Sequence, residues 1–185
     1  MNDENGEKNT QNSRLGKECA YLSVFVALVL AAQLCFAAVA GVELVTVLFV
    51  VYAYVFGWKR GMLAATAFSL LRQLIFGFFP QILVLYMVYY NLLTLLFGLL
   101  GGKGKDVGGS LWWIVLVACA CTVVFNFLDV GLNVLWYGYT LGAAKVYATA
   151  ALPVLLTQTV CTAVTVGVLF LPLEKAFTLA KKGLL

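Results

Sequence analysis

The chain has 185 residues, of which 63% are apolar or aromatic and only 11% are charged, and its formal net charge is +4. Soluble domains average roughly 25% charged residues, and a chain of this length cannot enclose so much apolar surface in its own core. The composition therefore excludes an ordinary soluble domain and predicts a membrane protein. Histidine, the most frequent metal ligand and general base, is absent from the sequence, which disfavours most hydrolases and metalloenzymes.

The amino terminus differs in composition from the rest of the chain. Residues 1–17 are rich in Asn, Glu and Lys and contain few apolar side chains. Such a segment cannot bury enough apolar surface to order itself. We therefore expect a flexible cytoplasmic tail over residues 1–17.

Six apolar segments follow this tail, and charges, glycines or prolines separate them. A helix of about 20 residues crosses the hydrocarbon core of a bilayer, and backbone polar groups inside lipid must be satisfied within the segment. The segments lack the alternation of a transmembrane β-barrel. We predict an all-α membrane protein, a bundle of six transmembrane helices over residues 18–174. The spans are expected near residues 19–40, 42–56, 62–79, 81–100, 110–128 and 153–171, with an external loop over 129–150 and a cytoplasmic tail over 175–185.

The basic residues predict the orientation of the bundle. Lys and Arg are enriched in short cytoplasmic loops. With six spans, ten of the twelve in this chain fall on one side, so we expect both termini in the cytoplasm. The ten residues are Lys8, Arg14, Lys17, Lys59, Arg60, Lys103, Lys105, Lys175, Lys181 and Lys182.

A cleaved signal peptide is the alternative for the first span. Ala38-Val39-Ala40 fits the A-x-A site of signal peptidase after an apolar stretch. That stretch is longer than the roughly 7–15 residues usual for a signal peptide, which favours retention of the span. Cleavage would leave the orientation of the other five spans unchanged.

Polar and ionisable side chains gather toward the predicted external side. Such groups are costly inside lipid and usually face a protein interior or a cavity, whereas a channel distributes them through the whole thickness. Acids, bases, amides and aromatic rings at one mouth suit a small polar ligand. The structural alternatives are hydrated loop positions for Glu43, Asp129 and Lys145 and a snorkelling Arg72. The candidate binding residues are Glu43, Arg72, Gln81, Tyr86, Asn126, Asp129, Asn133, Tyr137, Lys145 and Gln158.

Small residues mark candidate helix contacts. Ala27 and Ala31 form a small-xxx-small pair in span one, which flattens one helix face and lets another helix approach closely. That second helix belongs either to this chain or to a partner, and the spacing alone favours this chain. The Gly-x-x-x-Gly pairs 57/61, 98/102 and 138/142 lie in or near predicted loops, where we expect turn geometry to explain them.

Catalytic and metal-binding motifs are absent from the sequence. It contains no nucleotide-binding G-x-x-x-x-G-K-[ST], no G-x-S-x-G and no H-E-x-x-H, and no candidate nucleophile has a base beside it. The five cysteines lie in or beside apolar runs and are interpreted as small packing residues. We therefore expect a protein that is not an enzyme and that uses no metal or cofactor.

The pattern as a whole resembles the substrate-binding S component of energy-coupling factor (ECF) vitamin transporters. Six short spans with both ends inside, the small residues of span one and the acid at the entry to span two carry this resemblance. It covers roughly residues 18–180. The stretches concerned are Gly41-Val42-Glu43-Leu44, Phe56-Gly57-Trp58-Lys59-Arg60-Gly61, Gly98-Leu99-Leu100-Gly101 and the ending from Leu152-Pro153 to Leu173-Glu174-Lys175.

The resemblance implies a function and a set of partners. The chain would bind a vitamin or related micronutrient with high affinity at the external face. It would dock through the face of Ala27 and Ala31 on a membrane coupling subunit that two ATPase subunits serve, and would topple in the membrane during transport. The family's binding site draws on the first external loop and the outer parts of spans four to six, and Arg72 is added here from its charge and position. The residues implied in this sequence are Glu43, Gln81, Tyr86, Asn126, Asp129, Asn133, Tyr137 and Gln158.

Three other functions are alternatives. A structural membrane protein similar to the rod-shape factor MreD has the same size and span number and binds no small ligand, but the gathered polar groups argue against it. A lipid-modifying enzyme lacks its catalytic constellation, and a channel disagrees with the apolar inner halves of the spans. No nucleic-acid partner is expected.

Overall fold

The computed structural model describes residues 2–38, 43–101 and 107–183, with side chains from residue 15 onward except those of 107–110. These residues form six helices and no strand, which confirms the all-α class. The helices are α1 (Asn2–Phe36), α2 (Val45–Phe56), α3 (Trp58–Phe76), α4 (Pro80–Gly101), α5 (Val107–Tyr137) and α6 (Leu141–Lys182).

Four of these helices contain a stretch that is long and apolar enough to cross a membrane. The helix α2 is apolar but has only 12 residues, which corresponds to a rise of about 18 Å. The helix α3 has 19 residues and includes three basic side chains. The structure is compatible with a multi-pass membrane protein, and crossing by all six helices stays a prediction. The four stretches are Leu15–Phe36, Pro80–Gly101, Leu111–Tyr137 and Leu141–Lys182.

The short helix α2 lies at the centre of the bundle. It packs against α1, α3, α4 and α6, and all of its residues except Tyr54 are buried. Phe49 packs ring to ring with Phe25 of α1 at 5.5 Å between centroids. Phe68 of α3 and Tyr90 of α4 contact the same ring at 5.3 and 4.9 Å. Because protein covers α2 on its sides, its length need not match the thickness of the lipid.

The helix α1 packs on this core through one face. Phe25, Val26 and Val29 are buried, whereas Ala27 and Ala31 are exposed. The sequence spacing favours a contact of these two alanines with a helix of the same chain, and that interpretation is wrong. The larger side chains of the opposite face bury more apolar area against α2, so they take the intramolecular contact.

One end of the bundle collects charged side chains. Arg60, near the start of α3, forms an ion pair with Glu18 of α1. Lys181 of α6 donates a hydrogen bond of 2.6 Å from its Nζ to the carbonyl oxygen of Val55, near the end of α2. We call the end defined by Glu18, Arg60 and Lys181 the basic end.

Glycines permit close backbone contacts near this basic end. A Cβ on Gly98 would lie 2.3 Å from the backbone nitrogen of Trp58, and a Cβ on Gly101 would lie 2.1 Å from the carbonyl oxygen of Tyr54. Both separations are too short for non-bonded atoms, so α4 needs glycine at these positions. Turn geometry is therefore the wrong explanation for Gly98. It does apply to Gly57, whose φ of +88° turns the chain between α2 and α3.

The expected external loop over residues 129–150 is wrong, because α5 and α6 extend into it and leave only 138–140 as their connection. Leucine and alanine in this stretch favour helix, and the two helices pack against each other. Gly138 turns the chain with a φ of +62°. The hydroxyl of Thr140 caps α6 by accepting a hydrogen bond from the N–H of Ala143 at 3.4 Å.

Two prolines lie inside α6 rather than at its boundaries. The sequence predicts Pro153 in the first turn of the last span and Pro172 just after its end, but α6 runs for 42 residues through both. Proline is tolerated within membrane helices, because neighbouring helices and Ser or Thr side chains satisfy the freed backbone groups.

The terminal segments are helical as well. The helix α1 begins at Asn2 and includes the stretch for which the sequence predicts a flexible tail, and elongating an existing helix is much easier than nucleating one. Residues 175–182 likewise continue α6. The residues Val39 and Ala40 of the cleavage motif and the basic residues Lys103 and Lys105 lie outside the described residues.

Candidate functional site

A cavity of about 340 Å³ lies inside the bundle, away from the basic end. The helix α2 begins beside this cavity and ends at the basic end. Pockets for small molecules measure roughly 300–1,000 Å³, so this cavity suits a small ligand. We call it the polar cavity. All six helices or their ends line it, through Ala32, Gln33, Phe36, Ala37, Glu43, Leu44, Val45, Arg72, Phe76, Tyr86, Tyr90, Phe125 and Gln158.

Arg72 brings a positive charge to the polar cavity from α3. The central carbon of its guanidinium lies 4.4 Å from the ring centroid of Tyr86 and 4.9 Å from that of Phe76, within the range of cation–π attraction. Its Nε and Nη1 atoms are enclosed and have no acceptor among the described residues. A snorkelling arginine keeps its nitrogens in water, whereas two of the three guanidinium nitrogens of Arg72 are enclosed. An enclosed donor without an acceptor costs free energy, which an acceptor on a ligand would recover.

Glu43 brings a carboxyl group to the same cavity from the residues that precede α2. Its Oε1 accepts a hydrogen bond of 3.1 Å from the hydroxyl of Tyr90. Its backbone N–H donates to the Sγ of Cys161 at 3.3 Å, which ties this segment to α6. Glu43 and Arg72 form no ion pair with each other in the described structure. Since a carboxylate accepts several hydrogen bonds, Glu43 retains capacity for a donor on a ligand.

Gln33 of α1 is a lining residue that the sequence analysis missed. Its Nε2 donates to the hydroxyl of Tyr86 at 3.3 Å, and its Oε1 is enclosed without a donor among the described residues. The signal for it was the one amide in the apolar run of α1. Tyr90 was missed as well, although it lies four residues after Tyr86 and so shares its helix face.

Four of the ten predicted binding residues line the polar cavity, and a fifth lies beside it. Glu43, Arg72, Tyr86 and Gln158 are in the lining. The Nδ2 of Asn126 donates to the Oε1 of Gln158 at 2.8 Å, so that Asn126 supports the lining from α5. The structure thus brings together the two charges that the sequence singled out, and their contact with a ligand stays a prediction.

The other five predicted residues lie outside the lining of the polar cavity. Gln81 donates to the hydroxyl of Tyr137 at 2.6 Å, which joins α4 to the end of α5. Asn133 donates to the Oδ1 of Asp129 at 3.0 Å, one turn away on the same helix. Lys145 is exposed on α6. Because α5 continues as a helix where a loop was expected, it carries Asp129 away from the two charges of the cavity.

Aromatic side chains close the polar cavity on the side of the bundle core. Tyr90 forms part of its wall and packs against Phe49 and Phe68, with ring centroids 4.9 and 5.5 Å away. All three side chains are buried, and the two phenylalanines have no exposed area. The polar lining therefore ends at an apolar core, unlike the continuous polar path of a channel.

The fold and the site together define a class of protein. The described part of the chain is all-helical, and several of its helices are long and apolar enough to cross a membrane. The bundle encloses a cavity lined by charged and aromatic side chains. Within the described part of the chain, no three His, Cys, Asp or Glu side chains lie close enough together to hold a metal ion. No protein-family model, curated protein or solved structure matches the chain.

Proposed function

We propose that this chain is the substrate-binding S component of an ECF-type importer. It binds a vitamin or related micronutrient at the external face of a prokaryotic plasma membrane, and a coupling subunit with two ATPase subunits drives delivery into the cell. The observation that carries this proposal is the polar cavity, which holds Arg72 and Glu43 and ends at an aromatic floor.

The unpaired guanidinium favours a binding protein over a structural one. An ionisable group inside a membrane protein is costly and usually has a functional reason. A structural protein similar to MreD would gain nothing from two enclosed nitrogens of Arg72 that lack an acceptor. A ligand-binding protein uses the same arrangement, because the missing acceptor arrives with the ligand.

The charge distribution supports an outward orientation of the cavity. Arg60 and Lys181 lie at the basic end, which the positive-inside rule assigns to the cytoplasm. The polar cavity lies beyond the opposite end of α2. With this orientation the cavity opens toward the exterior, as uptake of a scarce compound requires.

The exposed small residues of α1 support the proposed partner. Ala27 and Ala31 lie exposed on one face of α1. Small residues let helices approach closely in membranes, so this face suits the coupling subunit. The site for ATP then lies in the ATPase subunits, consistent with the absence of a nucleotide-binding motif in this sequence.

The test is ligand binding by the full chain and by two neighbouring alanine variants. Ala32 lines the polar cavity, whereas Ala31 is exposed. Ala32→Trp therefore fills the cavity, and Ala31→Trp leaves it open. We expect mass spectrometry of denatured extracts to find a micronutrient in the purified wild type and in Ala31→Trp, with an affinity loss of at least about tenfold in Ala32→Trp.

Two results would contradict the proposal. If no compound copurifies and no vitamin in a panel raises the unfolding temperature of the wild type, the chain does not bind such ligands, and the MreD-like structural role is favoured. If Ala32→Trp binds the copurified compound as tightly as Ala31→Trp does, the binding site lies outside the polar cavity.

A further inference from the structure

From the geometry of the polar cavity, and resting on the proposed function, we infer the chemical class of the ligand. The ligand is a small carboxylic acid that also carries an N–H or ammonium donor. Its carboxylate binds Arg72, and its donor group binds Glu43 and the amide oxygen of Gln33. The inference combines a guanidinium that lacks an acceptor with two acceptors that have capacity for a donor.

The geometry of Arg72 indicates that the ligand carries a carboxylate. The rings of Tyr86 and Phe76 lie 4.4 and 4.9 Å from the guanidinium and hold it in place. Each edge of a planar guanidinium presents two parallel N–H donors that match the two oxygens of a carboxylate, Nε with Nη2 on one edge and Nη1 with Nη2 on the other. A carboxylate on either edge therefore gives one of the two enclosed nitrogens an acceptor, and its negative charge makes both hydrogen bonds stronger than those to a neutral acceptor.

Two acceptors in the lining, Gln33 and Glu43, indicate that the ligand carries a donor group. The Oε1 of Gln33 is enclosed without a donor, because its amide nitrogen is directed to the hydroxyl of Tyr86. Glu43 accepts from Tyr90 and has further acceptor capacity. The rings of Tyr86 and Tyr90 are 5.3 Å apart on successive turns of α4, so both acceptors lie near the site of the guanidinium.

The two charges of the cavity disfavour a doubly charged phosphate ester and a ligand with only a positive charge. The cavity contains one guanidinium and one carboxyl group that do not pair with each other. Charges in a cavity of low dielectric interact more strongly than in water. A phosphate ester with two negative charges would meet Glu43 at close range, and a ligand with only a positive charge would meet Arg72. A molecule that presents a carboxylate to one group and a donor to the other satisfies both.

The experiment identifies the compound that copurifies with the full chain and then compares acids with their uncharged derivatives. The probes are biotin with biotinamide, pantothenate with panthenol, and the copurified compound with its amide. We expect the copurified compound to contain a carboxylate and an N–H donor, and its acid form to bind at least about tenfold more tightly than its amide.

Three variants locate the two contacts. Arg72→Gln should lower the affinity for the acid by at least about tenfold and that for the amide by a smaller factor, so that the preference for the acid disappears. Glu43→Gln should lower both affinities and keep that preference. Arg60→Gln is the matched control, because Arg60 pairs with Glu18 at the basic end, and it should change neither affinity. Cooperative thermal unfolding of each variant verifies its fold.

The results separate this inference from the proposed function. A bound micronutrient without a carboxylate, or an unchanged preference for the acid in Arg72→Gln, would overturn the inference while the binding function stands. The absence of any copurified compound, together with no binding of the named acids, would overturn both.

Discussion

Gly98 shows how a single residue determines the packing of two helices. A Cβ at this position would meet the backbone of Trp58 at 2.3 Å, and backbone atoms cannot move aside as a flexible side chain can. We expect Gly98→Ala to separate α4 from the start of α3 and to lower the free energy of unfolding by about 1–3 kcal/mol. Tryptophan fluorescence during chemical unfolding in detergent measures this change.

A glycine elsewhere in the bundle provides the control for this substitution. A Cβ on Gly167 of α6 meets no atom within 4 Å. Since alanine favours helix over glycine by about 0.5–1 kcal/mol, Gly167→Ala should leave the stability unchanged or raise it. Equal stability of the two variants would show that α4 does not need the close approach at Gly98.

The sequence predicts single site residues unequally well. Glu43 and Arg72 stand out because charges are rare in apolar segments. The contact of Arg72 with Phe76 follows from helical spacing, since the two residues are four apart. Its contact with Tyr86 depends on how α3 and α4 align, and no local pattern of the sequence determines that alignment.

At the scale of helices, the exposed small-residue face of α1 leads to a prediction about docking on the coupling subunit. Ala27→Trp and Ala31→Trp each place a large ring on the exposed small-residue face, which blocks close approach of a partner helix. We expect both variants to abolish uptake in cells that contain the coupling subunit and the ATPases, with unchanged ligand affinity of the purified proteins. Radiolabelled uptake and equilibrium binding measure the two effects separately.

An exposed apolar position on another helix is the control for the tryptophan variants. Val124 of α5 is 52% exposed, and Val124→Trp should transport at the wild-type rate because it enlarges a side chain away from the proposed contact. Normal uptake in both Ala27→Trp and Ala31→Trp would exclude this face of α1 as the docking surface. Loss of uptake in Val124→Trp as well would show that a tryptophan on any exposed face impairs the protein in the membrane, and not that the face of α1 is a docking surface.

The boundaries of α5 and α6 show where the sequence prediction failed and why. Glycines, tyrosines and charges over 129–150 predict a loop, and the prolines predict helix boundaries. In the structure α5 and α6 continue into this stretch, and most of its side chains from residue 131 onward are exposed. Elongating an existing helix is much easier than nucleating one, and the leucines and alanines of the stretch favour helix. The composition of one segment does not reveal that the segments on either side are already helical.

For the whole molecule, composition predicts the class better than it predicts the number of crossings. The apolar content indicates a membrane protein, and the lengths of the apolar segments and their lack of alternation indicate helices. The structure has four helices of sufficient length and apolarity. The helix α2 is too short by this criterion, with 12 residues, yet it is the most enclosed element of the bundle. Because protein rather than lipid surrounds it, its length says little about whether the chain crosses the membrane there.

Among the six predicted crossings, those by α3 and α6 can be tested directly at positions near both ends of each helix. Single cysteines can be placed in a chain whose five natural cysteines are replaced by alanine, at Lys59, Phe78, Tyr139 and Gly183. Six crossings with the basic end in the cytoplasm place positions 59 and 183 inside and positions 78 and 139 outside. A membrane-impermeant maleimide should then label the last two in intact cells and all four after permeabilisation.

The labelling pattern tests the orientation of the polar cavity at the same time. Phe78 lies two residues after Phe76, the cavity residue at the end of α3, and it is 70% exposed. Label at position 78 in intact cells therefore places the cavity on the external side, where an importer must bind. Label at position 59 instead of 78 would show that the bundle has the inverted orientation. Label at both positions would show that α3 does not cross the membrane. The inverted pattern would remove the basis for uptake from outside, because the cavity would then lie on the cytoplasmic side of the membrane.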